Sequence, residues 1–352
     1  MGDKADVGTA DDESRLQLWP MKLSVIIPSY QRPLDLKRCL TAIAVQRRPA
    51  DEVVVVVRDG DTGTLELVSA CRETMKSLGA IRVEKPGLIA ALNCGIEAAR
   101  GDILVFTDDD SEVQANWLEL IEASFAESEV GAVGGRDWLQ FPEEISRYLS
   151  PEVKRVGVLS WYGKLHGNHH RPVRSHRREV MFLKGVNMAF RRDGIGTYRI
   201  DTNLRGLGSQ VGSEIDLCGH VREMGLKILF DDRILVKHYS APRPQGDVRS
   251  DFTGPVWRDA CFNTHYLIAK HFEVRRSLAY FCHGRLVGSR YMPGLFASFR
   301  GSLRGEWSIW KRLWQMTSVA LAGFLAGRRI RTAAHQRIRD LQPFTQQGST
   351  AA

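Results

Sequence analysis

Residues 53–57 of this chain are five valines in succession. A strand with valine on both faces has no side to give to water, so it must be covered above and below. Four more short apolar runs lie in the first 135 residues: Ser24–Pro28, Ile81–Val83, Ile103–Thr107 and Gly131–Val133. Between them apolar residues recur at helical spacing, at about 34–46, 65–78, 88–99 and 116–127. Covered strands that alternate with helices predict βαβ units. The expected fold class is therefore α/β, a Rossmann-like, mainly parallel central sheet flanked by helices. Pro33 suits the first turn of the first helix. In such sheets ligands bind beyond the carboxyl ends of the strands. The stretches SYQR (29–32), RDGD (58–61) and DDDS (108–111) each follow a strand directly, so three loops should meet at one crevice.

After about residue 135 the alternation fades. VMFLKGVNMAFRR (180–192) reads as a strand returning to the sheet. GSEIDLCGHVREMG (212–225) reads as a helix, with Ser213 placed to cap it and Gly225 to end it. KILFDDRILVKHY (227–239) gives a strand ending at His238. Beyond Arg249 the chain turns helical, Trp-rich and basic. The expected organisation is an acidic, flexible lead at 1–20 and an α/β body at 21–245, with halves at about 21–135 and 136–245. A helical Trp/Arg-rich extension at 246–335 and a flexible tail at 336–352 follow.

Charge is unevenly placed. Net charge is +8, and from Leu295 onward nine Lys/Arg face two acids, so nearly all the excess lies there. Such a region suits nucleic acid or an anionic membrane surface. Trp307, Trp310 and Trp314 fall at helical spacing. They fit a helix lying in the plane of a bilayer, and equally a helix packing an aromatic stripe on the body. No window reaches the roughly 18 apolar residues of a spanning helix. The polar, acidic start lacks the features of a secretion signal. Six cysteines without a CxxC pair read as reduced thiols, so a cytoplasmic protein is expected. His166, His169 and His170 do not match a zinc spacing and read as structural.

Asp108, Asp109 and Asp110 crowd three like charges together, which costs free energy unless a cation neutralises them. Read blandly, they form a solvated turn before the helix near Asn116. Read functionally, they hold Mg²⁺ or Mn²⁺, hard ions that take carboxylate and phosphate oxygens.

Five blocks, in order, resemble the family 2 inverting glycosyltransferases with the GT-A fold. They are IPSYQR (27–32), RDGD (58–61), LNCGIEAARGDILVFTDDD (92–110), GVNMAFRR (185–192) and GSEIDLCGHV (212–221), over roughly residues 22–240. The resemblance implies transfer of a sugar from a nucleotide-diphosphate donor to an acceptor hydroxyl. Carried onto this chain, it gives donor contacts to Pro28, Tyr30, Arg32, Asp59, Asn93, Asp108 and Asp109. It gives a metal on the DXD-type Asp110 and Asp108 with His238 as third ligand, and an acceptor side at Trp138, Gly185 and Asn187. Glu214 is then the catalytic base, with Asp216 its nearest rival. The chain departs from the family pattern at Arg58 and at Leu92, so another cation, Arg32 or Lys184, must face the phosphates. Lacking spanning helices and a QxxRW stretch, it resembles the non-processive members. The expected setting is bacterial surface glycan or exopolysaccharide assembly at the inner face of the plasma membrane. Expected partners are a glycan or lipid-linked acceptor and an anionic membrane surface, with no nucleic acid. The rival readings are a nucleotidyltransferase, an inactive relative, or a nucleic-acid-binding protein using its basic tail. The first would want a glycine-rich basic loop after the first strand, which PSYQRP does not offer.

Overall fold

In a computed structural model the five valines form the middle of strand β2 (Glu52–Arg58), each of them buried. Val53, Val55 and Val57 pack into one apolar layer, Val54 and Val56 into the opposite one. Residues 21–139, 152–206, 208, 210–239, 241, 254–289 and 292–341 are described. β2 lies between β1 (Leu23–Ser29) and β3 (Leu78–Val83), parallel to both. β4 (Ile103–Phe106) joins the other side of β1, again parallel. The remaining strands are β5 (Ser111–Val113), β6 (Val130–Leu139), the β7–β8 pair (Val158–Leu159, Leu165–His166), β9 (Arg177–Glu179), β10 (Met188–Arg191) and β11 (Lys227–His238). The sheet runs β3-β2-β1-β4-β10-β6-β11-β5, with β9 against β11. β10 is antiparallel to both β4 and β6, and β11 is parallel to β6. β1, β2, β3, β4, β6 and β11 therefore point the same way, so their carboxyl ends share one edge.

The order of winding reverses between β1 and β4, the place where open α/β sheets form a ligand crevice. β1 outruns β4 there. Their pairing stops at Ile26–Phe106, so Pro28, which has no N–H to donate, sits beyond the shared ladder.

Helices α1 (Pro33–Ala44), α2 (Thr62–Cys71) and α4 (Trp117–Ser124) cover one face of the sheet. α3 (Leu88–Ala98) and α6 (Ser213–Glu223) cover the other, α5 (Arg192–Ile195) being a single turn. The second helix starts and stops earlier than the spacing predicts. Asp61 caps it through the Thr64 N–H and hydroxyl, and the chain re-enters the sheet at Leu78. α6 corrects a second expectation. Its cap is Gly212, at φ +115°, and Ser213 is the first helical residue. A Cβ on Gly212 would collide with Leu267 Cδ1, and a left-handed φ favours glycine in any case.

The extension folds back on the body. α7 (Pro255–His271) sends Phe262, Tyr266 and Leu267 into the same apolar cluster as α3 and α6. α8 (Val274–Leu286) and α9 (Leu295–Ser302) follow, then the long α10 (Ser308–Leu341). α10 lies along α7 with Gly323 and Gly327 at the crossing. A Cβ there would collide with the carbonyls of Phe262 and Tyr266, so only glycine allows so close an approach. No helix among the described residues is long and apolar enough to cross a membrane.

Candidate active site

Three carboxyl-edge elements converge on the aspartates. β5 pairs antiparallel with β11 in a register that sets Ser111 opposite His238, which brings His238 onto the residues just before Ser111. His238 Nε2 lies 3.2 Å from Asp110 Oδ1 and 4.0 Å from Asp108 Oδ2. From β6, Asp137 comes within 3.3 Å of His238 Nδ1. Asp110 is held further by the Ala241 N–H at 2.8 Å, and Arg32 Nη1 approaches at 3.4 Å.

The charges follow from burial and partners. Burial alone would raise Asp110, but His238, Arg32 and the Ala241 N–H outweigh it and hold the carboxyl at about 2. Burial would also depress His238, yet Asp110 and Asp137 lift it to about 10. Asp137 is lowered: burial opposes this and His238 wins. Asp109 differs. Burial pushes it up to about 7 against the Arg32 guanidinium, while Ser29 Oγ and Arg32 Nη1 each donate to it at 2.9 Å.

The donor set fits a divalent ion. One ligand atom each from Asp108, Asp110 and His238 lies within 4.8 Å of the others. Ligands about 2.1 Å from a common centre stand roughly 3–4 Å apart, so a small turn of the half-exposed Asp108 closes the set. Asp110 Oδ1 is buried and faces the His238 ring at 3.2 Å without a well-formed hydrogen bond, as two ligands of one ion would. Asp137 stands behind His238 as the carboxylate that fixes ring orientation in many metal sites. Replacing Asp137 by Asn should therefore weaken Mn²⁺ binding by roughly 10–100-fold. Titration calorimetry measures this directly, and an unchanged affinity would remove Asp137 from the site.

Other residues named from sequence fall elsewhere. Pro28 and Tyr30 sit half-buried at the β1 end of the crevice. Asp59 is exposed in the turn after β2, its N–H bonded to the Val83 carbonyl. Arg32 is committed to Asp109 and Asp110, although its Nε is buried and without a hydrogen-bond partner. Lys184 lies at the turn before β10 and close enough to Asp137 to help lower its pKa. Asn93 clasps Ile200 in both directions, at 2.8 and 2.9 Å, and so fastens the loop that leads to α6. Gly185 and Trp138 are half-buried. Asn187, expected on the acceptor side, is fully buried. It accepts from Trp117 Nε1 and donates to the Arg136 and Ile234 carbonyls, so its amide is spent on joining β6, β11 and α4.

Glu214 and Asp216 part company. Glu214 stands half-buried in the first turn of α6, where the helix dipole favours a carboxylate. The loop before it is tied to the carboxyl edge, because Gln210 Oε1 accepts from the N–H of Ile89 at the start of α3. Asp216, the rival base, is 0% exposed. Its Oδ1 accepts from Lys270 Nζ at 2.8 Å and His271 Nε2 at 2.7 Å, and its Oδ2 accepts from the Asp201 N–H. With both oxygens bound, Asp216 clamps α6 to α7 and has no oxygen to offer a substrate.

Asp137 lay outside the motifs, and Asp61, inside RDGD, was given no role of its own. Asp137 is a lone acid in the apolar strand β6, and that anomaly was the available signal. Asp61 accepts from the Gln31 N–H at 2.5 Å and so holds Gln31 at φ +54°, locking the loop after β1 to the loop after β2. His169 is buried beside the Phe182 carbonyl, and burial takes it down to about 4, in keeping with a structural histidine.

The mostly parallel sheet, with a switch-point crevice and an Asp-Asp-His cluster at its mouth, shares the GT-A fold of solved glycosyltransferases. The family model described as glycosyl transferase family 2 matches residues 24–199, and the chain belongs to that family. Glycosyltransferase AglE of Haloferax volcanii is 34% identical over 125 residues, 34% of this chain and 40% of that protein. Succinoglycan biosynthesis protein ExoM of Rhizobium meliloti is 28% identical over 101 residues, 28% of this chain and 33% of that one. Both matches take in less than half of the relative's length. A solved structure of GalNAc-T7 with UDP, GalNAc and Mn²⁺ is alike in fold, with a TM-score of 0.56 at 16% identity over 85% of this chain and 57% of that one.

Proposed function

We propose that this transferase moves a sugar from a nucleotide-diphosphate donor to an acceptor hydroxyl, with inversion. The observation that carries the reading is the Asp108–Asp110–His238 cluster, with Asp137 behind it, at the switch-point crevice of a family 2 chain. The nucleotide and Mn²⁺ in the GalNAc-T7 structure support it by analogy of fold. A Mg²⁺ or Mn²⁺ on these ligands would neutralise charge gathering on the departing diphosphate. The chain's own groups do the rest. Glu214 takes the proton of the acceptor hydroxyl as its oxygen bonds to the anomeric carbon. The bond from that carbon to the diphosphate oxygen breaks, and its electron pair leaves with the nucleotide. Arg32, paired with Asp109 and Asp110, keeps a cation beside the metal ligands. In this reading the enzyme works in the cytoplasm at the inner face of the plasma membrane, on a glycan or lipid-linked acceptor. The name of the Rhizobium relative supports a role in surface polysaccharide assembly.

Glu214→Gln is expected to keep donor binding and lose transfer, since the amide cannot accept a proton at neutral pH. A thermal-shift panel of UDP-, GDP- and dTDP-sugars with and without Mn²⁺ measures the first, because a ligand of the folded state raises Tm with its occupancy. Product formation measures the second. Near-normal turnover in the variant would move the base elsewhere.

A further inference from the structure

The helix α9 is built inside out. It buries Ser298 and Gly301, the latter against Ile309 of α10, and turns Phe296 and Phe299 to solvent. Leu303, Trp307 and Trp314 continue the same habit through the turn and into α10. These five side chains are 62–75% exposed. Soluble surfaces scatter such residues singly, and a run of five marks an interaction face. Along α10 the stripe goes on at helical spacing through Leu321 and Leu325, both exposed. The opposite side of α10 is already occupied, with Leu313, Met316 and Ala320 buried and Gly323 and Gly327 pressed on α7.

The charges beside the stripe are basic but for Glu306. Arg300, Arg304 and Lys311 are exposed among the aromatics, and Arg285 lies with its guanidinium 5.3 Å from the centre of the Trp314 ring. Glu306 is the single acid between Leu295 and Thr332. Aromatic rings that sit at headgroup depth, with arginines reaching for anionic headgroups, are the chemistry of an interfacial membrane contact. We infer that α9, the turn after it and the outward face of α10 form a docking surface for an anionic bilayer. The surface holds the enzyme against the membrane without crossing it. The inference stands apart from the transfer reaction, because none of these residues belongs to the metal cluster or to α6.

Flotation of the full chain with vesicles tests it. The expected result is recovery with phosphatidylcholine vesicles containing 30% phosphatidylglycerol, and little with phosphatidylcholine alone. Two variants separate the components. Phe296→Ser with Phe299→Ser and Trp307→Ser should lower partitioning at least tenfold. Arg300→Glu with Arg304→Glu should do the same at low salt, where surface charge is least screened. Both sets alter exposed positions, so Tm and the shift given by nucleotide sugar should stay as in the parent. Three results would each overturn the inference: no flotation of the parent chain with anionic vesicles, aromatic variants that float like the parent, or a parent dimer in vesicle-free solution that the aromatic variant converts to monomer. The last would show the face to be a contact between copies.

Discussion

Asp110→Ala is expected to remove metal-dependent transfer while the chain stays folded. The loss should exceed the roughly 10–100-fold typical of an outer-shell partner, because the proposed role of Asp110 is to ligate the ion directly through a buried oxygen. Folding should survive. The aspartate sits in a loop after β4, and the sheet pairings of β4 and β5 do not run through its side chain. The substitution leaves His238 and the Ala241 N–H short of a partner, so a few degrees of Tm should go with it. Steady-state transfer with and without Mn²⁺ reads the effect. Turnover equal to the parent's would remove Asp110 from the chemistry.

Lys270→Met should cost more in stability than any other single change proposed for this chain. Lys270 Nζ donates to Asp216, Asp201 and Tyr198, and removing it leaves Asp216 with a buried charge and one cation fewer. Breaking a buried pair from one side costs about 3–5 kcal/mol, on the order of 10 °C in a domain of this size. The double change Asp216→Leu with Lys270→Met should recover part of that, since the unpaired Asp216 carboxylate goes with it, while Asp201 keeps Tyr266 and His271 keeps Glu223. Calorimetry that finds the single variant as stable as its parent would contradict the clamp.

The same network fixes a pH profile. Burial would raise Asp216, but His271 and Lys270 hold it at about 2. Its contribution is therefore whole above the unfolded value of about 3.9 and disappears as pH falls through about 2. His271 has the opposite sign. Burial would lower it, yet Asp216 and Glu223 raise it. Its contribution is complete below about 6.5 and fades as pH climbs through the raised folded value. A His271→Gln variant should therefore close the gap to its parent as pH rises above about 6.5, a trend that thermal melts across pH 5–9 would show or refute.

The parts legible in the sequence were those written locally. The five valines dictate a covered strand whatever lies around them. DDDS after a strand could be placed on the carboxyl edge from periodicity alone, whereas His238 was set beside it only by the family resemblance. What escaped was pairing between distant positions. Asp137 meets His238 because β6 and β11 are neighbours, and no spacing within either strand says so. Asp216 has the position of a base in a first helical turn. Its role was decided by Lys270 and His271, more than 50 residues further on, on a helix the motifs do not reach. The tryptophans at and just before the start of α10 show the same limit. Their spacing predicts a helix, but Trp310 turns inward to donate to Ser302 Oγ at 2.6 Å while Trp307 and Trp314 face out. Which way the stripe turned depended on Gly323 and Gly327 fitting α7, a matter of volume rather than hydropathy.

A crystal soaked with Mn²⁺ and a nucleotide sugar, with diffraction recorded at the manganese edge, puts the metal assignment to its most direct trial. The expected result is an anomalous peak about 2 Å from Asp110 Oδ1 and His238 Nε2, with the diphosphate beside it. A diphosphate and ion bound together anywhere else on the chain would contradict the account.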